Sequence, residues 1–212
     1  MENPVTTRIL ALVGSLRAGS HNKQLAEAAA KFAPDGVEVH IFENLADVAF
    51  YNEDFDRPGA VAAADWLRVE VQSADALLLV TPEYNGSIPA SLKNAIDWIS
   101  RPYGAGTISG KPLAVIGVSN GRFGGVWAHD DARKVASIAG ASVLDDVRLS
   151  VPNGATRFAT THPAHDDEIA HTMPTILAAL ATAVQKSRTE GQALTKRRTL
   201  SGRDVSPHRG IG

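Results

Sequence analysis

"ALLLVTPEYNGSIPASLKNAIDWIS", residues 76–100, passes from five apolar residues through a polar turn into an amphipathic helix. A strand that is apolar at every position has both faces covered, as in the centre of a parallel sheet. The helix expected over residues 89–100 carries an apolar stripe, Ile88, Leu92, Ile96 and Ile99, that can face such a sheet. Ser87 stands where it would cap that helix, and Pro89 lies near its first turn. Between strand and helix, Pro82, Glu83, Tyr84, Asn85 and Gly86 are delivered to one short turn. Trp98 falls off the stripe and so predicts a second buried surface, for which a subunit contact is the natural candidate.

The same alternation extends in both directions. Residues 8–13, "RILALV", 37–42, "VEVHIF", 112–118, "PLAVIGV", and 142–149 read as further strands. Residues 22–32, 60–73, 125–139 and 166–185 read as helices. Five strands alternating with helices, the central ones continuously apolar, require a parallel α/β sheet with helices on both faces. Right-handed crossovers give the strand order 2-1-3-4-5 and a three-layer α/β/α sandwich.

With 212 residues, 44% of them hydrophobic, the chain suits one globular domain with a sizeable core. It has no cysteine, which excludes disulfides, thiolate metal sites and a cysteine nucleophile. No apolar run has the length of a signal peptide core or a membrane span, so a cytoplasmic protein is expected. The net charge of −2 is uneven: from Lys186 onward it is +5, leaving −7 for the body. The division expected is a domain over residues 1–186 and a basic, flexible tail over 187–212, too poor in apolar residues to offset its ordering entropy. The "TKRR" of that tail reads as solvated rather than as a nucleic-acid arm.

In a sheet of this order, ligands bind beyond the carboxyl ends of strands one and three, where the strand order reverses. The loop after strand one, "GSLRAGSHN" (residues 14–22), offers Ser15, Ser20 and Asn22, the fixed charge of Arg17, and the start of a helix. Free N–H groups and the helix dipole favour an anion there. The loop lacks the G-x-x-x-x-G-K-[ST] pattern, so a terminal monophosphate suits it better than a triphosphate. Three or four charge-assisted hydrogen bonds at about 1.5–3 kcal/mol each would hold it. A capped helix start with an exposed arginine is the plainer alternative. "SNGRFGG", residues 119–125, adds a third loop whose glycines allow close approach of backbone to a flat ligand.

Together "GSLRAGSHNKQLA" (residues 14–26), "TPEYNGSIPASLKNAIDWISR" (81–101) and "GVSNGRFGG" (117–125) resemble the NADPH-dependent FMN reductase family. That family includes flavin-dependent quinone, chromate and azo-compound reductases. "FYNEDFD", residues 50–56, looks like its segment after the second strand, and the resemblance runs in order over residues 8–180. It implies a flavodoxin-like fold with bound FMN, NADPH or NADH as donor, a small-molecule acceptor, and a homodimer or homotetramer. By the same resemblance, Ser15, Arg17, Ser20 and Asn22 would hold the FMN phosphate, although Arg17 could meet the NADPH phosphate instead. Pro82, Glu83, Tyr84 and Asn85 would lie along the isoalloxazine, largely through backbone groups, with Gly86 completing the turn. Ser119 and Gly121 would contact its far side. The flavin carries the reaction in such enzymes, so no catalytic side chain and no metal are expected. Two rival readings keep the flavin without the enzyme: a flavodoxin-like electron carrier, and a redox-sensing binding protein.

His162, His165 and His171 do not complete a ligand set and read as surface or helix-start residues. "HDD", residues 129–131, and Trp127 match no pattern. No G-x-S-x-G elbow accompanies Ser15 or Ser119, which argues against a hydrolase.

Overall fold

The computed structural model describes residues 6–201. Five strands, β1 (Thr7–Val13), β2 (Val37–Phe42), β3 (Ala76–Val80), β4 (Pro112–Val118) and β5 (Ser142–Val151), form one sheet. Its order is β2-β1-β3-β4-β5 and every pairing is parallel. The connections are α1 (His21–Lys31), α2 (Ala62–Ser73), α3 (Ala90–Ile99) and α4 (Val126–Ile138), followed by the short α5 (Gly154–Arg157) and the long α6 (Asp167–Ser201). This is the flavodoxin-like three-layer sandwich that the strand alternation predicts.

Alternate residues of the central strands feed two cores. Ile9, Ala11 and Leu78 face Leu25, Ala28, Ile169 and Leu177 of α1 and α6. Leu10, Leu12, Leu77 and Leu79 face Leu67, Leu92 and Ala132 of α2, α3 and α4. All five residues of β3 are fully buried, which is why this strand shows no polar alternation.

Three expectations change. Trp98 is buried within the chain, 1% exposed, and does not mark a subunit contact. Its indole N–H donates to the Ala49 carbonyl at 2.8 Å, Tyr51 meets it edge-on, and the Arg68 guanidinium lies over its ring. The β2–α2 connection folds back across α3 and supplies the second surface that the helix stripe lacked. Ser87 does not cap α3; Pro89 occupies the cap position without a side-chain bond. The last helix does not end at Gln185 but runs to Ser201, through much of the segment expected to be a flexible tail, and Arg188 on it pairs with Asp75 at 2.6 Å. The remainder of that tail, 202–212, lies outside the described residues.

Candidate active site

β1 ends beside β3, and the Gly14 amide makes the last bond across, to the Val80 carbonyl at 2.9 Å. The chain then lifts away from the sheet. Ser20 caps α1, its hydroxyl accepting from the Asn22 and Lys23 amides. The five amides from Ser15 to Gly19 find no acceptor among the described residues. Consecutive free N–H groups beside a helix start form an anion-binding concavity. Arg17 adds a charge that is almost uncommitted, its one hydrogen bond a 3.5 Å contact to the Ala18 carbonyl. His21, at the helix start, is kept below its usual pKa by partial burial and by the Arg17 charge, so Arg17 is the fixed cation of the loop.

Asn22 does something different from what its place in the loop suggests. It is buried, and its amide grips the end of β4 from both sides: Nδ2 donates to the Val118 carbonyl at 2.8 Å, and Oδ1 accepts from the Val118 amide at 2.9 Å. It therefore fixes the first loop to the third. Both polar atoms of its side chain are thus committed to Val118, at the edge of the cavity described below.

The turn after β3 is a tight reversal. Tyr84 and Ser87 exchange backbone hydrogen bonds at 3.0 and 3.1 Å, and Asn85 and Gly86 between them have φ of 52° and 76°. Two successive positive φ values suit asparagine and glycine, which explains the "NG" dipeptide. Neither residue lines the cavity described below; they shape the turn that does. The Glu83 carboxylate points across to α4, accepting from the Trp127 and Ala128 amides at 3.1 and 3.3 Å. It supplies the cap that Gly125, with its own positive φ, cannot. Ser87 adds a second tie to the same helix through Asp131 at 2.7 Å. Glu83→Gln is expected to lower the unfolding free energy by about 1 kcal/mol, read from the urea midpoint, because a charged cap is lost. An unchanged midpoint would mean that the carboxylate does not hold α4.

The third loop is pinned at its base. The Ser119 amide donates to Val151, its carbonyl accepts from Gly154, and Asn120 Oδ1 accepts from the Ala155 amide at 2.9 Å. Gly121 folds back onto Ser119 Oγ. The three loops enclose a polar cavity of about 410 Å3. Ser15, Arg17, Ser20 and Asn22 line it on one side, Pro82, Glu83 and Tyr84 on another, and Ser119 and Gly121 on the third. His21, Val118 and Asn120 also line it and were not singled out in the sequence. The "SHN" triplet that opens α1 is the signal that could have found His21.

Below the turn lies a buried network that no motif announced. His129 on α4 is fully buried; Nδ1 accepts from the Ser150 hydroxyl at 2.7 Å, and Nε2 donates to the Thr81 carbonyl at 3.2 Å. Burial, chiefly, lowers its pKa to about 4. It is a neutral brace between β3, α4 and β5.

The donor set fits a flavin mononucleotide: free amides and one cation for a phosphate, then a tight turn and a third loop bordering the same cavity for a ring system. A family model described as NADPH-dependent FMN reductase matches residues 7–156. The chain belongs to that family. As an FMN reductase of this kind it is an oxidoreductase that uses FMN and takes electrons from NAD(P)H, which sets aside the carrier and sensor readings. Among its relatives, a quinone reductase of Pseudomonas putida is 44% identical over 126 residues, 59% of this chain and 67% of that protein. An NAD(P)H-dependent FMN reductase of Pseudomonas aeruginosa is 34% identical over 181 residues, 85% of this chain and 97% of the relative. The flavoenzyme NAD(P)H:(acceptor) oxidoreductase FerB of Paracoccus denitrificans superposes with a TM-score of 0.76 at 31% identity, covering 85% of this chain and 98% of its own.

Proposed function

We propose that this FMN reductase passes two electrons from NAD(P)H to a quinone, with the FMN phosphate held in the loop of residues 14–22. The reaction balances as NAD(P)H, a proton and quinone giving NAD(P)+ and hydroquinone. FMN, when bound, supplies the two-electron relay between the nicotinamide and the acceptor. One observation carries the phosphate assignment: the loop of residues 15–19 has five consecutive unpaired amides, and its Ser15 and the nearly uncommitted Arg17 line the cavity. The protein's own part is positional. Ser15 to Ser20 and Arg17 bind the phosphate, the 82–86 turn borders the ring, and Glu83, Ser87 and Asn22 hold the three loops in register. Nothing in that arrangement calls for a side-chain acid or base. The relative named quinone reductase supports the acceptor class.

The proposal includes a homodimer or homotetramer in the cytoplasm, where the NAD(P)H donor is found. A groove of about 570 Å3 between α3 and the end of α4, with Tyr103 and Ile138 strongly exposed beside it, supports self-association. Light scattering on a gel-filtration column is expected to give at least twice the chain mass; a monomer would end that part. No described helix is long and apolar enough to cross a membrane.

The purified protein should be yellow, or become so with FMN, and should oxidise NADPH faster when a quinone is present. A colourless protein that cannot be reconstituted would refute the reading. Ser15 Oγ has no protein partner among the described residues, so Ser15→Ala should leave the thermal midpoint unchanged. It should raise the Kd for FMN about tenfold, the worth of one hydrogen bond to a charged group. An unchanged Kd would remove Ser15 from the phosphate site.

A further inference from the structure

The third loop turns sharply before it enters α4. The Gly124 amide donates to the Gly121 carbonyl at 3.1 Å, which leaves Arg122 and Phe123 at the two corners of a tight turn. That turn cannot fold inward. Gly124, with φ of 66°, lies hard against β5, and a Cβ there would meet the Ser150 carbonyl at 2.6 Å. Phe123 is therefore presented outward, 52% exposed. Its ring meets that of Trp127, on the first turn of α4 and 58% exposed, at a centroid distance of 6.0 Å. Trp127 is itself fixed in place, its amide held by the Glu83 carboxylate and its ring lying beside Gly86 of the turn after β3.

Neither ring belongs to either core, so the fold does not account for them. The Arg122 guanidinium lies over the Phe123 ring at 4.5 Å and has no hydrogen bond or ion pair among the described residues. The three loops carry one other arginine, Arg17, which belongs to the phosphate loop. The aromatic platform adjoins the polar cavity directly, because Gly121 and Tyr84, which line that cavity, are the near ends of the two turns that carry it. Exposed aromatic faces accept a nucleobase by stacking, and an unpaired guanidinium beside them accepts a phosphate.

We propose that Phe123 and Trp127 dock the adenine of the donor and that Arg122, by meeting the 2′-phosphate, selects NADPH over NADH. The proposal rests on the FMN reductase reading. A cavity of about 410 Å3 has the size for one such ligand. With FMN in it, a dinucleotide whose nicotinamide reaches the flavin must lay its second nucleotide on the outer surface. Arg17 is engaged by the FMN phosphate, so Arg122 is the arginine next to the cavity that an incoming anion can meet. The adenine stacks on the exposed ring pair, and the 2′-phosphate, on the ribose of the same nucleoside, comes within reach of the guanidinium lying on that pair. NADH has a hydroxyl at that position and loses the charge-assisted contact, which is worth roughly twice a neutral one. Arg122 is thus the specificity residue, and the two aromatic rings serve both donors alike.

The test uses the FMN-loaded enzyme and two redox-inert fragments of the donor, adenosine 2′,5′-bisphosphate and adenosine 5′-monophosphate, in equilibrium dialysis at fixed ionic strength. The bisphosphate should bind the wild type about tenfold more tightly than the monophosphate. In Arg122→Gln that ratio should fall to within about twofold of unity, and the kcat/KM for NADPH relative to NADH should fall about tenfold. Trp127→Ala should weaken both fragments by about fivefold, the worth of one stacked base, and leave their ratio in place. Arg122 and Trp127 are exposed, so neither change opens the core. Equal affinity of the wild type for the two fragments would overturn the proposal. So would a tenfold ratio that survives Arg122→Gln, or release of bound FMN by the bisphosphate, which would put that fragment in the phosphate loop. A wild-type protein that takes up no FMN would strike the reductase reading itself, before any fragment is added.

Discussion

Asn22→Leu is expected to lower the free energy of unfolding by about 4 kcal/mol, because two buried backbone groups lose their partners at about 1–3 kcal/mol each. Leucine has nearly the shape of asparagine, so the loss reports unpaired polar groups rather than a cavity. The Val118 amide and carbonyl, both bonded to the Asn22 side chain in the folded protein, would face an apolar branch with no water to replace it. Urea unfolding followed by far-ultraviolet circular dichroism gives the number directly, and a loss below about 1 kcal/mol would show that the clamp is dispensable. FMN retention should fall together with stability, since the same amide sets the distance between the phosphate loop and the third loop. This pairing separates Asn22 from Ser15. Ser15→Ala acts on FMN affinity alone, whereas Asn22→Leu acts on both.

Asn22 also shows where the sequence could be read and where it could not. The order of the sheet followed from continuous apolar runs and alternation, because burial on both faces of a strand leaves a direct imprint on composition. The position of the polar loops followed from the strand order. What each side chain in those loops does was less legible, because the deciding partners are far away in the chain. Glu83 meets residues 127 and 128, Asn22 meets residue 118, and Ser87 meets Asp131 rather than the helix it precedes. Local chemistry predicts a cap for the nearest helix; tertiary contact reassigns it. Trp98 fails for a related reason. Its surplus apolar surface was visible, but the segment that covers it, residues 48–51, has no periodic pattern to announce where it goes.

His129 gives the strongest pH effect. Its folded-state pKa of about 4 lies below the ordinary 6.5, so below pH 6.5 the unfolded chain binds a proton that the folded chain refuses. Stability from this group is therefore complete above pH 6.5 and is lost as pH falls from 6.5 to 4. Over that window the loss is about 3 kcal/mol, at 1.36 kcal/mol per unit. Burial is the leading cause, and the nearby Arg133 charge acts in the same direction, while the bond to the Thr81 carbonyl and the Asp130 charge oppose it. The surroundings leave the ring little room to escape. A side chain on Gly117 would collide with the Thr81 carbonyl and with Nε2 of the imidazole, so only glycine lets β4 pass this closely. The comparison to make is wild type against His129→Gln, each unfolded in urea at pH 7 and at pH 4.5. Other groups that titrate in this range contribute equally to both proteins. Between these two pH values the wild type should lose more stability than the variant by about 2–3 kcal/mol, while the imidazole is still largely neutral in the fold. Equal losses would mean that His129 takes up its proton without disturbing the Thr81–Ser150 bridge. Because the folded imidazole stays neutral down to about pH 4, its bond to the Thr81 carbonyl persists over this interval, and FMN affinity in the wild type should change with pH no more than in the variant.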